Sequence, residues 1–399
     1  MKKTMWLPLL AAVLTTTACD GDAARRSRDV ERAKSTMDAV YAHYGIEDCP
    51  LLRENHPFND RYRAGYLASE EQAQPNPYSY LWPFSGSLSA ANAILESDPA
   101  YRDVIDGRVL PGLAEYADTL REPAAYASYV RTAAPSDRFY DDNVWLGIDF
   151  CDIYAATGDA RYLDEAAKIW KFIESGMDDV LGGGIYWCEQ KKHSKNTCSN
   201  APGAVYALKL YAATGDARYL EQRRALYDWT KRTLMDSGDG LYFDNMDLEG
   251  RIGRAKFAYN SGQMVQAGAL LYRATGDEGY LADARRTADA CYTCFFEDFA
   301  PEGAAPFRIL CKGNVWFTAV MVRGLAELYG IDADPTALAD VQRSLDWAWD
   351  HARDEYGLFE TDFTGAETNR EKWLLTQCAV AEMFARLGAL HLPETTRNE

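Results

Sequence analysis

Tyr154-Ala-Ala-Thr-Gly-Asp-Ala-Arg-Tyr-Leu163 recurs as Tyr211-Ala-Ala-Thr-Gly-Asp-Ala-Arg-Tyr-Leu220 and again as Tyr272-Arg-Ala-Thr-Gly-Asp-Glu-Gly-Tyr-Leu281. Gly158, Gly215 and Gly276 suit the left-handed residue that ends a helix. Asp159, Asp216 and Asp277, one position later, suit the N-cap of the next helix. Each copy therefore reads as helix, tight turn, helix, and the repetition predicts an array of helical hairpins.

Working outward, two kinds of helix alternate. One kind is apolar and rich in small residues, starting near Phe84, Asp141, Ala201, Asn260, Gly313 and Lys372. The other is amphipathic and charged, over about Ala24–Tyr44, Tyr101–Leu120, Asp159–Met177, Asp216–Met235, Asp277–Phe295 and Pro335–His351. A helix apolar all round is buried, and one with a charged face meets water. Six buried and six exposed helices in alternation predict an all-α fold, an (α/α)6 barrel, over an open superhelix of hairpins. The connections are uneven. Inner-to-outer turns are short, while the outer-to-inner segments Asp178–Asn200, Asp236–Tyr259 and Asp354–Arg370 are long. Long loops in a compact domain tend to carry function. Gly183-Gly-Ile-Tyr-Trp187, Gly238-Asp-Gly-Leu-Tyr-Phe-Asp244 and Tyr356-Gly-Leu-Phe-Glu-Thr-Asp-Phe363 each read as a glycine turn and a short aromatic strand, all on the face that holds the N-termini of the inner helices.

On that face Ser136-Asp-Arg-Phe-Tyr-Asp-Asp-Asn-Val-Trp145 opens one inner helix with two adjacent carboxylates, Asp141 and Asp142, after an aromatic pair. Paired acids beside aromatic rings suit glycoside chemistry, in which one carboxyl donates a proton and the other attacks or activates water. Solvated acids at a helix N-terminus are the plainer alternative. The remaining openings, Trp82-Pro-Phe-Ser-Gly, Asn200-Ala-Pro-Gly, Tyr259-Asn-Ser-Gly-Gln263, Lys312-Gly-Asn-Val-Trp316 and Arg370-Glu-Lys-Trp373, add polar and aromatic side chains at the same mouth. The candidate sugar contacts are Trp82, Asn143, Trp187, Asn200, Tyr259, Asn260, Gln263, Lys312 and Trp373. Trp145 and Trp316 sit inside helices and read as packing.

The chain has 399 residues, 47% of them apolar, enough for one large domain. Lys plus Arg number 42 against 60 Asp plus Glu, a formal charge of −18. That balance argues against nucleic acid and against docking on anionic lipid, and leaves neutral substrates open. With 25 Tyr and 10 Trp the chain is rich in rings able to stack on pyranoses. Five scattered His and a lone Cys291-Tyr-Thr-Cys294 make no zinc signature; no metal and no cofactor is expected.

Met1-Lys-Lys-Thr-Met-Trp-Leu-Pro-Leu-Leu-Ala-Ala-Val-Leu14 has a basic start and a short apolar run, as in an export signal. Thr16-Thr17-Ala18-Cys19 then resembles a bacterial lipoprotein signal, with Cys19 lipidated and Thr16 in place of the usual Leu. Residues 1–19 are thus read as signal and 20–399 as one barrel domain, exported, monomeric, and attached to a bacterial outer membrane only through a lipid. The eight further cysteines form an even set in an exported chain, and Cys188 and Cys198 share one predicted loop in which a bridge fits.

Over about residues 78–390 the chain resembles glycoside hydrolase family 76, the bacterial endo-α-1,6-mannanases and their fungal cell-wall relatives. The resemblance is carried by Asp141-Asp142, Gly182-Gly-Gly-Ile-Tyr-Trp187, Asn200, Tyr259-Asn260-Ser-Gly262 and Lys312-Gly313. It implies an (α/α)6 barrel that cleaves α-mannan with retention, Asp141 as nucleophile and Asp142 as general acid/base. Ser261 departs from the family, which usually carries Gln there; Gln263 lies two residues on. A glycan-binding surface lipoprotein without catalysis and a transglycosidase acting on mannan are the competing readings. An unrelated lyase or epimerase would lean on His, and none stands at the helix openings.

Overall fold

The computed structural model describes the backbone of residues 10–68 and 77–393 and the side chains of 21–68 and 77–393. Cys19 and the rest of the leader lie outside the described side chains. Among the described residues six inner helices, Leu81–Leu95, Tyr140–Thr157, Thr197–Thr214, Ala258–Thr275, Val315–Asp332 and Leu374–Ala389, alternate with outer ones. Each inner helix packs on the next, and the Leu374 helix touches both the Val315 and the Leu81 helices, so the ring closes. The outer layer holds Leu10–Tyr44, Ala160–Ser175, Ala217–Leu234, Glu278–Cys294 and Thr336–His351. The first of these packs on the Leu374 helix, bringing the beginning of the ring against its end.

The Thr-Gly-Asp turns form as the sequence dictates. Gly158, Gly215 and Gly276 cap their helices at φ +68, +71 and +71, conformations that cost other residues dearly. The Asp159 carboxylate accepts from the Arg161 N–H at 3.0 Å, and Asp216 and Asp277 do the same at 2.9 Å. Gly262 lets two inner helices touch: a Cβ there would lie 2.3 Å from Met321 Cα. At the base of the ring Arg323 and Glu382 form a buried fork-on-fork pair at 2.6 and 2.8 Å, and Arg386 adds a third bond to Glu382. Burial alone would raise the Glu382 pKa, but the two guanidiniums hold it down to about 2.

The expected outer helix over Tyr101–Leu120 departs from the sequence reading. The run from Pro99 to Tyr116 passes through 3-10, α and π turns, and the chain leaves it as a short strand, Ala117–Asp118, paired with Ala125–Tyr126. Pro111 has no N–H for the Gly107 carbonyl, so the ladder slips there to the wider π spacing over Ile105–Val109. The long loops do carry their short strands. Ile185 bridges Met177, Tyr242 bridges Met235 and Phe359 bridges Arg353. Ser194–Asn196 joins the hairpin of Phe243–Asp247 with Ile252–Lys256. Cys188 and Cys198, whose pairing the sequence leaves open, do not bridge: Cys188 is in the loop, Cys198 is inside the Thr197 helix, and all eight described cysteines are free thiols.

Candidate active site

The inner helices open with a common logic. The second residue of five of them, Trp82, Asp141, Cys198, Tyr259 and Trp316, lines a single cavity of about 320 Å³. In four of the six inner helices the fourth residue is turned to the loop instead. Asn143 accepts from the Tyr126 N–H at 2.8 Å and donates to the Tyr126 and Phe139 carbonyls, both at 2.9 Å. Asn200 accepts from the Ile185 N–H at 2.6 Å and donates to the Ile185 and Asn196 carbonyls. Ser261 accepts from the Tyr242 N–H at 3.0 Å, and Gln377 clamps the Phe359 backbone from both sides. These four side chains fasten the loops that wall the mouth.

This placement revises the expected sugar contacts. Asn143 and Asn200 are fully buried with their amides committed to backbone, leaving nothing for a ligand. Gln263 is buried in its helix, donating to Gln266. Lys312 is exposed and paired with Glu367, away from the cavity. Asn260 stands behind the wall, 3.5 Å from Asp244. Trp373 donates its indole N–H to Glu54 at 3.1 Å and sits beside Trp82 without lining the cavity. Trp82, Trp187 and Tyr259 do line it, and so do Asp141 and Asp142. Trp145 and Trp316, read from sequence as packing, are buried and form part of the same wall.

The two aspartates stand in unequal surroundings. Asp141 Oδ2 receives the Trp187 indole N–H at 3.0 Å and the Cys198 thiol at 3.3 Å, while Oδ1 receives the Asp142 N–H at 3.1 Å. Burial pushes the Asp141 pKa up, and these donors hold the rise to about 6. Asp142 is buried without any such donor, and burial together with the charge of Asp141 drives its pKa well above the usual range. The unequal surroundings favour the negative charge on Asp141 and the proton on Asp142.

Several lining residues escaped the sequence reading. Asp244 and Asn245 reach the cavity from the Phe243–Asp247 strand, and Asn196 from the strand before the Thr197 helix. Phe317 stacks on Tyr259 at 4.0 Å. Tyr66 and Tyr80 come from the segment before the first inner helix and are gathered by buried Glu54, which accepts from the Tyr66 hydroxyl at 2.5 Å and the Tyr80 N–H at 3.0 Å. The helix register held a usable signal for one of them: Cys198 occupies the same second position as Asp141 and Tyr259.

A closed double ring of helices with two carboxyls in unequal surroundings in an aromatic cavity suits a glycan-cleaving enzyme of the (α/α)6 class. The chain belongs to glycosyl hydrolase family 76, whose family model matches residues 58–390. Among solved structures it is similar to a family 76 glycoside hydrolase (mannosidase) from Bacteroides thetaiotaomicron VPI-5482, at 33% identity over 91% of this chain and 98% of the other, with a TM-score of 0.83. A family 76 enzyme from a bovine Bacteroides thetaiotaomicron strain gives 32% identity over 90% of this chain and 77% of the other, TM-score 0.81. An inactive variant of the α-1,6-mannanase from Salegentibacter sp. HEL1_6, in complex with α-1,6-mannotriose, shares the fold at 24% identity over 91% of this chain and 100% of the other, TM-score 0.68. No curated protein sequence matches the chain.

Proposed function

We propose that this glycoside hydrolase cleaves the α-1,6-linked backbone of α-mannan with retention, through a mannosyl-enzyme intermediate. The observation that carries the reading is the unequal pair: Asp141 with three donors around its carboxylate, Asp142 with none. Asp141, ionised, attacks the anomeric carbon, while the Asp142 carboxyl passes its proton to the departing glycosidic oxygen. Asp142, now a carboxylate, takes a proton from water as that water attacks the anomeric carbon and frees Asp141. The substrate is inferred from the mannosidase relative and from the α-1,6-manno-oligosaccharide complexes of the more distant Salegentibacter enzyme.

The test is turnover of debranched α-1,6-mannan, with product anomers followed by NMR. Asp141→Asn and Asp142→Asn should each lose most turnover and still bind mannan. Full activity in either variant would overturn the roles, and inverted product would overturn retention. Export and lipid attachment at Cys19 are part of the same proposal and rest on the leader sequence. Labelling with a radioactive fatty acid, lost in Cys19→Ala, checks them.

A further inference from the structure

A second cavity, of about 410 Å³, opens between the starts of the Val315 and Leu374 helices, next to the catalytic one. We infer that it is a distal sugar subsite, taking a mannosyl residue of the same chain that lies beyond those held in the catalytic cavity. The inference rests on the mannan reading above and adds where a longer substrate goes.

Its lining is mostly neutral, with one carboxylate, Glu371, that accepts from the Asn59 amide at 2.8 Å. Asn55 and Thr376 are both more than nine-tenths buried, yet their side chains line this cavity with no hydrogen-bond partner among the described residues. Asn369 spends its carbonyl oxygen on the Thr361 N–H at 2.7 Å, which leaves its NH₂ and the Thr361 hydroxyl uncommitted. These amides and hydroxyls face the cavity with donors and acceptors to spare, so they suit a ligand that both donates and accepts. Lys372 also lines the cavity but is neutralised by Glu360 and Asp354, so no free cation selects an anion. Neutral donors and acceptors beside the Trp373 ring fit a hydroxyl-rich, uncharged ring.

The two cavities are one aromatic layer apart. Trp373, in the second, meets Trp82, in the first, edge to face at 5.3 Å, and Tyr66 at 5.7 Å. A 1,6 linkage has an additional rotatable bond, so a chain seated on Asp141 can turn over the edge of Trp82 and continue onto Trp373. The layer is held from below by Glu54, which binds Trp373 and Tyr66 together.

The test uses Thr376→Val, which keeps the shape and removes the hydroxyl, and Thr361→Arg, which fills the cavity from its half-exposed rim. Binding of α-1,6-linked manno-oligosaccharides of increasing length is measured by calorimetry in an Asp142→Asn background, and kcat/KM for the same series in the active enzyme. Both variants should lose about tenfold in affinity and kcat/KM for long chains, the worth of one or two hydrogen bonds, while the shortest cleaved chain changes less than about twofold by the same measure. A loss equal at every length, or no loss in either variant, overturns the subsite and leaves hydrolysis standing. Binding that strengthens with length and is weakened by both variants, in a protein that cleaves nothing, supports the subsite and sinks the hydrolase reading.

Discussion

Replacing Trp187 by phenylalanine removes the indole N–H that reaches Asp141 Oδ2 at 3.0 Å while keeping a ring against Phe139, whose centroid lies 5.0 Å away. A hydrogen bond to a charged group is worth roughly 1.5–3 kcal/mol, and one pKa unit corresponds to about 1.36 kcal/mol. Asp141 is open on its cavity side, so water takes part of the donor's place and the lower figure applies. Its pKa, about 6 in the native protein, should then rise by about one unit. The sign is fixed: the donor favours the carboxylate, so its loss favours the acid. Because Asp141 must be ionised to attack, the acid limb of kcat/KM against pH should move to higher pH, and the rate near pH 6 should drop several-fold. The alkaline limb, set by the second proton of the pair, should move far less. Trp187 also lines the cavity, so a fall in rate alone decides nothing; the position of the acid limb is the readout. An acid limb that stays in place, or moves to lower pH, refutes the assignment of the charge to Asp141.

Asp142→Asn should raise thermal stability at pH 7, since the native pKa of Asp142 lies above its unfolded value of 3.8 and stability is lost as pH rises through that interval. The gain over the native protein, read from Tm, should vanish near pH 4. Asn143→Ala strips three buried hydrogen bonds and orphans the Tyr126 N–H, and should cost about 2–3 kcal/mol in urea unfolding. Glu382→Ala leaves Arg323 buried and unpaired and should cost about 3–5 kcal/mol in the same assay. Purified protein spanning residues 21–393 should titrate eight thiols in denaturant without reductant; six would mean that a bridge forms after all.

The fold was legible because its turns are local chemistry. A glycine and an aspartate in succession specify the end of one helix and the start of the next within a few residues, and the alternation of apolar and charged helices does the rest. The site was legible where residue type is decisive, as with two adjacent acids beside tryptophan. It was not legible where type is shared between jobs. An asparagine near a helix start suits a sugar hydroxyl and a loop carbonyl equally well, and only its position in the turn, second or fourth, decides which it meets. Asn143 and Asn200 fall on the fourth. Glu54 and Tyr66 were hidden for another reason: they join the mouth through the pairing of Asn55–His56 with Lys372–Trp373, more than three hundred residues apart in the chain, and no local pattern announces such a contact.

The fourth-position side chains have an evolutionary corollary. Each panel around the mouth has its own peg, Asn143, Asn200, Ser261 or Gln377, at its root, and the Asn200 and Ser261 panels are also joined further out through Ser194–Asn196. The tip of a panel can lengthen, shrink or change its face while the peg keeps its root in place, and Ser261 indicates that the peg tolerates a shorter hook. Such a rim can be recut for a different branch pattern in small, separate steps, while the wall of helices and its two acids stay where they are.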